Sequence, residues 1–135
     1  MLEVYSDNLD VISGSSIPLN NVTLQKGTTA ILSSNATIQL NKRGIYDVEV
    51  DGFAEAGVAG LITVQLMRNG VLQPQAISSV TGAVGETDVF NFHTQVQVLT
   101  DNTCCCDTAP TLLQIINTGV DITDVHINVC ISKLC

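Results

Sequence analysis

The stretch GIYDVEVDGF, residues 44–53, alternates apolar and acidic side chains over most of its length. Tyr46, Val48 and Val50 are the apolar members, and Asp47, Glu49 and Asp51 alternate with them. Because successive side chains of a β-strand point to opposite faces, this spacing predicts a strand with an apolar face and an acidic face. Such a strand is half buried, with its apolar face against a core.

The same period of two recurs along the rest of the chain. The segment GLITVQLMRNGVLQP (60–74) alternates as far as Asn69-Gly70, the dipeptide most typical of a two-residue hairpin. Further strand-like runs are ETDVFNFHTQVQVL (86–99), PTLLQIINTG (110–119) and ITDVHINVCISKLC (122–135), with shorter ones at 21–27, 29–33 and 36–41. Eight to ten short strands separated by turn residues predict an all-β chain folded as a β-sandwich or barrel.

The length of 135 residues is typical of one domain. The chain has no internal repeat or low-complexity segment, and we predict that residues 17–135 form the domain. Residues 1–16 include the polar stretch SDNLDVISGSS (6–16), which breaks the strand pattern. We interpret residues 1–16 as an N-terminal arm or a first edge strand.

The composition argues against several classes of function. The formal net charge is -8, with 13 acidic and 5 basic residues, so the basic surface that binds nucleic acid or anionic membranes is missing. No run approaches the roughly 20 apolar residues of a membrane span, and no signal peptide is visible at the first residues. No motif ties a nucleophile to a histidine, so we predict that the protein is not an enzyme and needs no cofactor.

From residue 38 onward the pattern resembles the C1q/TNF-like jelly roll. The stretch IQLNKRGIYDVEVDGF (38–53) is similar to that family's Gly-x-Tyr entry into its third strand, and VQLMRNGV (64–71) is similar to its Asn-Gly hairpin. The ending LLQIINTGVDITDVHINVCISKL (112–134) is similar to its last two strands and the short turn between them. The resemblance implies a jelly-roll β-sandwich of antiparallel strands that assembles as a homotrimer.

The resemblance also implies which sheet faces the threefold axis of the trimer. This inner sheet is formed by the first, last, third and sixth main strands, so the segments 45–53, 86–99 and 122–134 would share it. Their outward faces would turn polar side chains toward the axis. The predicted axis-facing residues are Asp47, Glu49, Asp51, Asn91, His93, Gln95, His126, Asn128 and Cys130.

Two of these residues, His93 and His126, are the candidates for a metal site if one exists. Imidazoles beside carboxylates bind transition metals, and a threefold axis would supply one ligand from each protomer. No close-spaced ligand motif such as HxH or HExxH is present, so hydrogen bonding to amides or solvent explains both histidines and no metal is predicted. The carboxylates of Asp47, Glu49 and Asp51 have three interpretations: a pair of acid/base carboxylates, a Ca²⁺ site, or a solvated strand face, which explains them as well.

The five cysteines form an odd set, which excludes complete pairing within one chain. Cys104, Cys105 and Cys106 lie in the polar run TDNTCCCDTAP (100–110), whose spacing fits neither a CxxC redox motif nor a zinc knuckle. In the implied sheet, strands 86–99 and 122–134 end together, which places Cys135 near this run and Cys130 about 17 Å away. The cluster is then a disulfide clasp within or between chains, a soft-metal site, or a set of free thiols.

These observations favour a non-enzymatic structural or adhesive module. We expect a homotrimeric head on a phage virion, as a fibre, tail or capsid decoration, or on a bacterial or spore surface. Its partners would be copies of itself and either a host-surface receptor or glycan, or a capsid or fibre protein. The alternatives are a secreted receptor-binding ligand of the C1q/TNF type and a small metal- or carbohydrate-binding jelly roll.

Overall fold

A computed structural model describes residues 1–99 and 110–134. Within these ranges the regular structure consists of ten strands, in agreement with the predicted all-β class. The strands are β1 (Leu2–Val11), β2 (Asn21–Gln25), β3 (Ala30–Leu32), β4 (Ile38–Leu40), β5 (Gly44–Ala56), β6 (Gly60–Arg68), β7 (Val71–Gly82), β8 (Thr87–Val98), β9 (Thr111–Asn117) and β10 (Ile122–Lys133).

The strands form two five-stranded antiparallel sheets packed as a jelly-roll sandwich. The first sheet has the order β2-β1-β10-β5-β8, and the second has the order β3-β4-β9-β6-β7. The first and last long strands, β1 and β10, are neighbours in one sheet, and β5 and β8 complete it. This confirms the prediction that the segments 45–53, 86–99 and 122–134 share a sheet.

The core lies between the sheets and is filled by the apolar half of each alternating strand. On β5 the buried side chains include Tyr46, Val48 and Val50, as the sequence predicts. On β6 of the opposite sheet they include Ile62 and Val64. Each aliphatic side chain of this kind contributes about 1.5–3 kcal/mol when it is fully buried. Because the alternation puts these side chains on one face of each sheet, it explains why the two sheets pack against each other.

Two local hydrogen bonds hold the start of β5 and the turn between β6 and β7, the two features that the sequence pattern predicts most clearly. The Tyr46 hydroxyl donates a hydrogen bond to the Lys42 carbonyl oxygen at 2.6 Å, which holds the chain as it enters β5. Asn69 and Gly70 both have positive φ, at 50° and 82°, which confirms the predicted tight turn between β6 and β7. The Asn69 side-chain oxygen also accepts a hydrogen bond from the Leu112 N–H at 2.8 Å, which ties this turn to β9.

The first residues differ from the predicted arm or edge strand. Leu2–Val11 is β1, flanked by β2 on one side and β10 on the other, so it is an interior strand. Ser6 of the polar stretch is buried, and its hydroxyl accepts a hydrogen bond from the Asn20 N–H at 2.6 Å. The polar residues that break the alternation lie at a bulge, where Asn8 has a φ of 55°. The division of the chain at residue 16 stays a prediction.

A second bulge lies in β10, between Thr123 and His126, where β10 has one residue more than its partner β5. Asp124 lies within it and has a φ of 50°. Beside the bulge the two backbones approach closely, since a Cβ on Gly52 would lie 2.0 Å from the His126 carbonyl oxygen. Only glycine fits at this point of β5 without moving the strands apart.

Strand β7 forms one edge of the second sheet and contains Pro74. Its pairing with β6 is irregular around this residue, because Gln65 pairs with Ile77 while Met67 pairs with Leu72. Proline lacks an N–H, so an edge position is where a sheet tolerates it best.

Candidate functional site

The outward face of the first sheet carries most of the residues that the sequence predicts as functional. We call this surface the acidic face and define it as Glu3, Asp47, Glu49, Asp51, Asn91, His93, Gln95, His126, Asn128 and Cys130. All of these side chains are exposed or half-buried in the single chain. Nine of the ten are the predicted axis-facing residues, and Glu3 is the addition. That the face lines a trimer axis stays a prediction.

The strand register arranges the acidic face in rows across the sheet. One row runs Glu3, Cys130, Glu49 and His93, from β1 through β10 and β5 to β8. A second row, beside it, contains Asn128, Asp51 and Asn91. Directly opposite residues of antiparallel strands have Cβ atoms about 4.5–5.5 Å apart, so neighbours within a row are in contact range.

His93 is the centre of the strongest polar cluster on this face. Its Nε2 atom contacts Oδ1 of Asp47, and Glu49 is its direct partner across β5 and β8. The hydrogen bond with Asp47 raises the pKa of His93 above its ordinary 6.5, and the charges of Asp47 and Glu49 add to it while desolvation opposes it. One ligand atom from each of the three side chains lies within 4.8 Å of the other two. Imidazole nitrogen and carboxylate oxygen are both common metal ligands.

A shallow depression of about 310 Å³ opens beside this cluster. Its rim carries the ionisable side chains of Glu49, His93, Asp51 and Cys130. Asn91 and Asn128 complete the polar lining. The depression offers hydrogen-bond donors and acceptors to a small polar group or to water.

Cys130 lies half-buried in the row between Glu3 and Glu49. Burial raises the pKa of its thiol, and the carboxylates of Glu3, Glu49 and Asp47 raise it further, against a smaller opposing effect of the N-terminal amine. The thiol therefore keeps its proton at neutral pH, and since the thiolate is the reactive form, Cys130 is a weak nucleophile.

The two histidines that the sequence proposed as metal candidates do not share a site. His126 pairs with Phe53 on β5, whereas His93 pairs with Glu49. Phe53 and Glu49 are four residues apart on β5, which corresponds to about 13 Å along the strand. The His126 ring stacks on Phe53 with centroids 5.0 Å apart, and its Nδ1 lies 3.4 Å from Oδ1 of Asp7.

The acidic face ends in an apolar patch that sequence reasoning missed. Phe53 is 41% exposed and its strand partner Val89 is 67% exposed. Tyr5 and Leu24 are exposed on the same side of the sheet, opposite Asn128 and Glu3 respectively. The alternation of β5 already indicated this exposed ring, because residues 47, 49, 51 and 53 lie on the same outward face of the strand and the last of them is Phe53.

The predicted cysteine clasp falls largely outside the described residues. Cys104, Cys105, Cys106 and Cys135 all belong to the undescribed segments. The strand ends that motivated the prediction are described: Val98 at the end of β8 pairs with Gly44, and Lys133 at the end of β10 pairs with Tyr46. Both strands therefore end beside the start of β5. The clasp itself stays a prediction.

Comparison with protein-family models and with curated proteins gives no match. Solved structures do match, over nearly the whole chain. The globular domain of zebrafish complement 1qA protein aligns with a TM-score of 0.71 at 8% identity, over 99% of this chain and 96% of that one. The chain has the C1q/TNF-like jelly-roll fold.

Two further structures with the C1q/TNF-like jelly roll come from other biological settings. The Eiger TNF from S. frugiperda aligns with a TM-score of 0.69 at 10% identity, over 99% of this chain and 92% of that one. The PRD1 vertex protein P5 aligns with a TM-score of 0.62 at 13% identity, over 99% of this chain and 96% of that one. The TM-scores establish the shared fold, and at identities this low the similarity concerns the fold alone. Within residues 1–99 and 110–134 there is no helix long and apolar enough to cross a membrane.

Proposed function

We propose that the protein is a non-enzymatic structural or adhesive module that acts as a homotrimeric head on a phage virion or on a bacterial or spore surface. The observation that carries the proposal is the whole-chain similarity to C1q/TNF-like jelly rolls, among them a vertex protein of PRD1. The trimer follows from the resemblance of the sequence to this family, in which the sheet containing the first and last strands faces the axis.

The acidic face has the composition of a contact surface between copies of the chain. Phe53 and Val89 leave apolar area exposed at one end of this face, and Tyr5 adds an exposed ring beside Asn128. Apolar side chains clustered at one end of a polar surface are typical of protein interaction sites, and a second copy of the chain is the partner that the fold favours. In that assembly the apolar patch would supply the packed contacts, and the carboxylates would surround a polar centre.

The mass of the native protein tests the trimer. Light scattering or native mass spectrometry at micromolar concentration is expected to give three times the 14.3 kDa of one chain. A monomeric mass under these conditions would refute the trimeric head.

A matched pair of charge insertions tests whether the acidic face forms the interface. Val89→Glu places a buried charge in the proposed contact. We expect it to raise the dissociation constant between the chains at least about tenfold, which corresponds to ~1.4 kcal/mol. Val71→Glu is the control, since Val71 is 63% exposed but lies on β7 of the second sheet, whereas the acidic face belongs to the first sheet. Equal effects of the two substitutions would place the interface elsewhere.

A second candidate function is a receptor-binding ligand of the C1q/TNF type. The similarity to the complement and TNF structures favours it as much as the PRD1 similarity favours a virion protein. The genomic surroundings separate the two. Neighbouring capsid and tail genes are expected for the virion protein, whereas an encoded signal peptide and collagen-like stalk are expected for the secreted ligand.

A further inference from the structure

We propose that Asp47, Glu49 and His93 form a binding site for one divalent transition-metal ion per chain. The site joins two carboxylates and one imidazole on adjacent strands, β5 and β8. It goes beyond the proposed function and does not depend on it, because every ligand comes from a single chain.

The distances within the cluster are close to those of a coordinated ion. One donor atom of each side chain lies within 4.8 Å of the other two. Ligands bound to one ion at about 2.1 Å lie at most about 4.2 Å from each other, so small side-chain rotations complete the set. Glu49 and His93 are exposed and free to make these rotations, and Asp47 is already in contact with His93.

The strands fix the three ligands in a way that a flexible acidic surface does not. Asp47 and Glu49 are two residues apart on one strand and therefore share a face. Glu49 pairs directly with His93 in the ladder of β5 and β8, so hydrogen-bonded backbone holds both sides of the site. Sites built on strands keep their geometry better than sites built on loops.

The donor set selects the class of ion. Two carboxylates carry enough negative charge to neutralise a divalent cation and suit Mn²⁺, and the imidazole nitrogen favours transition metals such as Zn²⁺ over Ca²⁺. Three protein ligands leave further coordination positions open toward solvent and toward the depression that Glu49 and His93 help to line. Water or a polar group of a partner would occupy them.

The neighbouring acidic residue provides an internal control. Asp51 is an exposed carboxylate on the same face of β5, two residues beyond Glu49, but it is not a member of the cluster. Glu49→Gln and Asp51→Asn therefore remove the same charge from the same surface. Only the first removes a proposed ligand. His126→Ala serves in the same way as the control for His93→Ala.

The test is a Mn²⁺ titration of the full-length protein after removal of metals with a chelator. Mn²⁺ is chosen because thiolates bind it poorly, which keeps the cysteines from competing. Calorimetry is expected to give saturable binding of one ion per chain. Paramagnetic line broadening in ¹⁵N-labelled protein is expected to centre on residues 47–49 and 93. Circular dichroism of each variant verifies the fold.

The variants separate a specific site from general attraction to an acidic surface. His93→Ala and Glu49→Gln are expected to weaken Mn²⁺ binding about tenfold or more, while Asp51→Asn and His126→Ala leave it within about threefold of the original. Absence of saturable binding at millimolar Mn²⁺ would overturn the proposal. So would equal weakening by Glu49→Gln and Asp51→Asn, or an affinity for Mn²⁺ that His93→Ala leaves unchanged. All three proposed ligands belong to one chain, so the same ranking of the four variants is expected for a monomer and for a trimer.

Discussion

At the scale of single residues, His93 has a pKa that its neighbours raise above the ordinary value. Its contact with Asp47 favours the charged imidazolium, and the nearby Glu49 adds to the effect. A histidine whose pKa is raised on folding contributes stability below its unfolded pKa, near 6.5. This contribution is lost as the pH rises through the higher pKa of the folded state. His93 is exposed, so solvent screening keeps the contribution small.

The pKa of His93 can be measured directly by NMR titration of its ring protons in metal-free protein. We expect a value above 6.5, and we expect Asp47→Asn to lower it because the substitution removes both the hydrogen bond to a carboxylate and its charge. Asn91→Ala, on the same strand face as His93, is the control and is expected to leave the titration unchanged. A titration that does not respond to Asp47→Asn would show that the contact is absent in solution.

The sequence predicts the members of the acidic face but not their contacts. Alternation alone places Asp47, Glu49 and His93 on outward faces. It does not determine which residue of β8 lies opposite Glu49, because a register shift of two residues preserves every face while moving each partner by about 6.6 Å. The pairing of Glu49 with His93, and hence the cluster, is visible only once the register is known.

At the scale of strands, the bulge of β1 explains where the sequence pattern and the observed elements differ. The alternation of 44–53 continues through a regular strand and predicts β5 well. In 1–16 the polar residues around Asn8 interrupt the alternation, so the pattern suggested an arm. The bulge there absorbs the interruption, and Leu2, Val4 and Val11 still reach the core. Extra residues of this kind are not encoded in a simple period of two.

The bulge of β10 gives a prediction about Asp124, which has a φ of 50°. Asp124→Ala is expected to reduce the free energy of unfolding by about 1 kcal/mol, because a side chain with a plain Cβ is disfavoured in the left-handed region. Asp124→Gly is the matched control and is expected to retain or slightly raise stability. Urea denaturation of the three proteins measures both effects. Equal stability of the alanine and glycine variants would contradict the strained bulge.

The close approach of β5 and β10 beside this bulge leads to a second prediction, about Gly52. Gly52→Ala places a Cβ 2.0 Å from the His126 carbonyl oxygen, so the two strands must separate. We expect a loss of about 1–3 kcal/mol in the free energy of unfolding, the usual range for overpacking. Asp51→Ala changes the adjacent exposed residue and is expected to have a much smaller effect. Thermal denaturation that ranks the two variants equally would argue against this close contact.

At the scale of the whole molecule, the chain presents two surfaces of different character at opposite ends of the first sheet. Phe53 and Val89 mark the apolar end of the acidic face. The ends of β8 and β10, beside the start of β5, mark the other. In a trimer built on this face, the apolar end would pack the protomers. The opposite end is where the predicted cysteine clasp would join them or close within each chain.

The clasp is tested by mapping disulfides in protein purified without reductant. We expect a bond between Cys135 and one of Cys104, Cys105 and Cys106, and we expect Cys130 to remain a thiol because it lies apart from the strand ends. A bond of this kind within one chain closes a loop of about 30 residues and is expected to add about 3.6 kcal/mol to stability. Migration on a non-reducing gel separates bonds within chains from bonds between them. Alkylation of all five thiols in denatured, unreduced protein would refute the clasp.

The proline on β7 has a consequence for the behaviour of the protein at high concentration. A free sheet edge offers a row of unpaired backbone groups on which another chain can add a strand, and repetition of this step leads to amyloid-like polymers. Pro74 has no N–H to offer an added strand, and the irregular pairing around it disturbs the straight ladder that a foreign strand would need. Strand addition at β7 is thereby discouraged, so we expect little polymerisation through this edge even in concentrated solution.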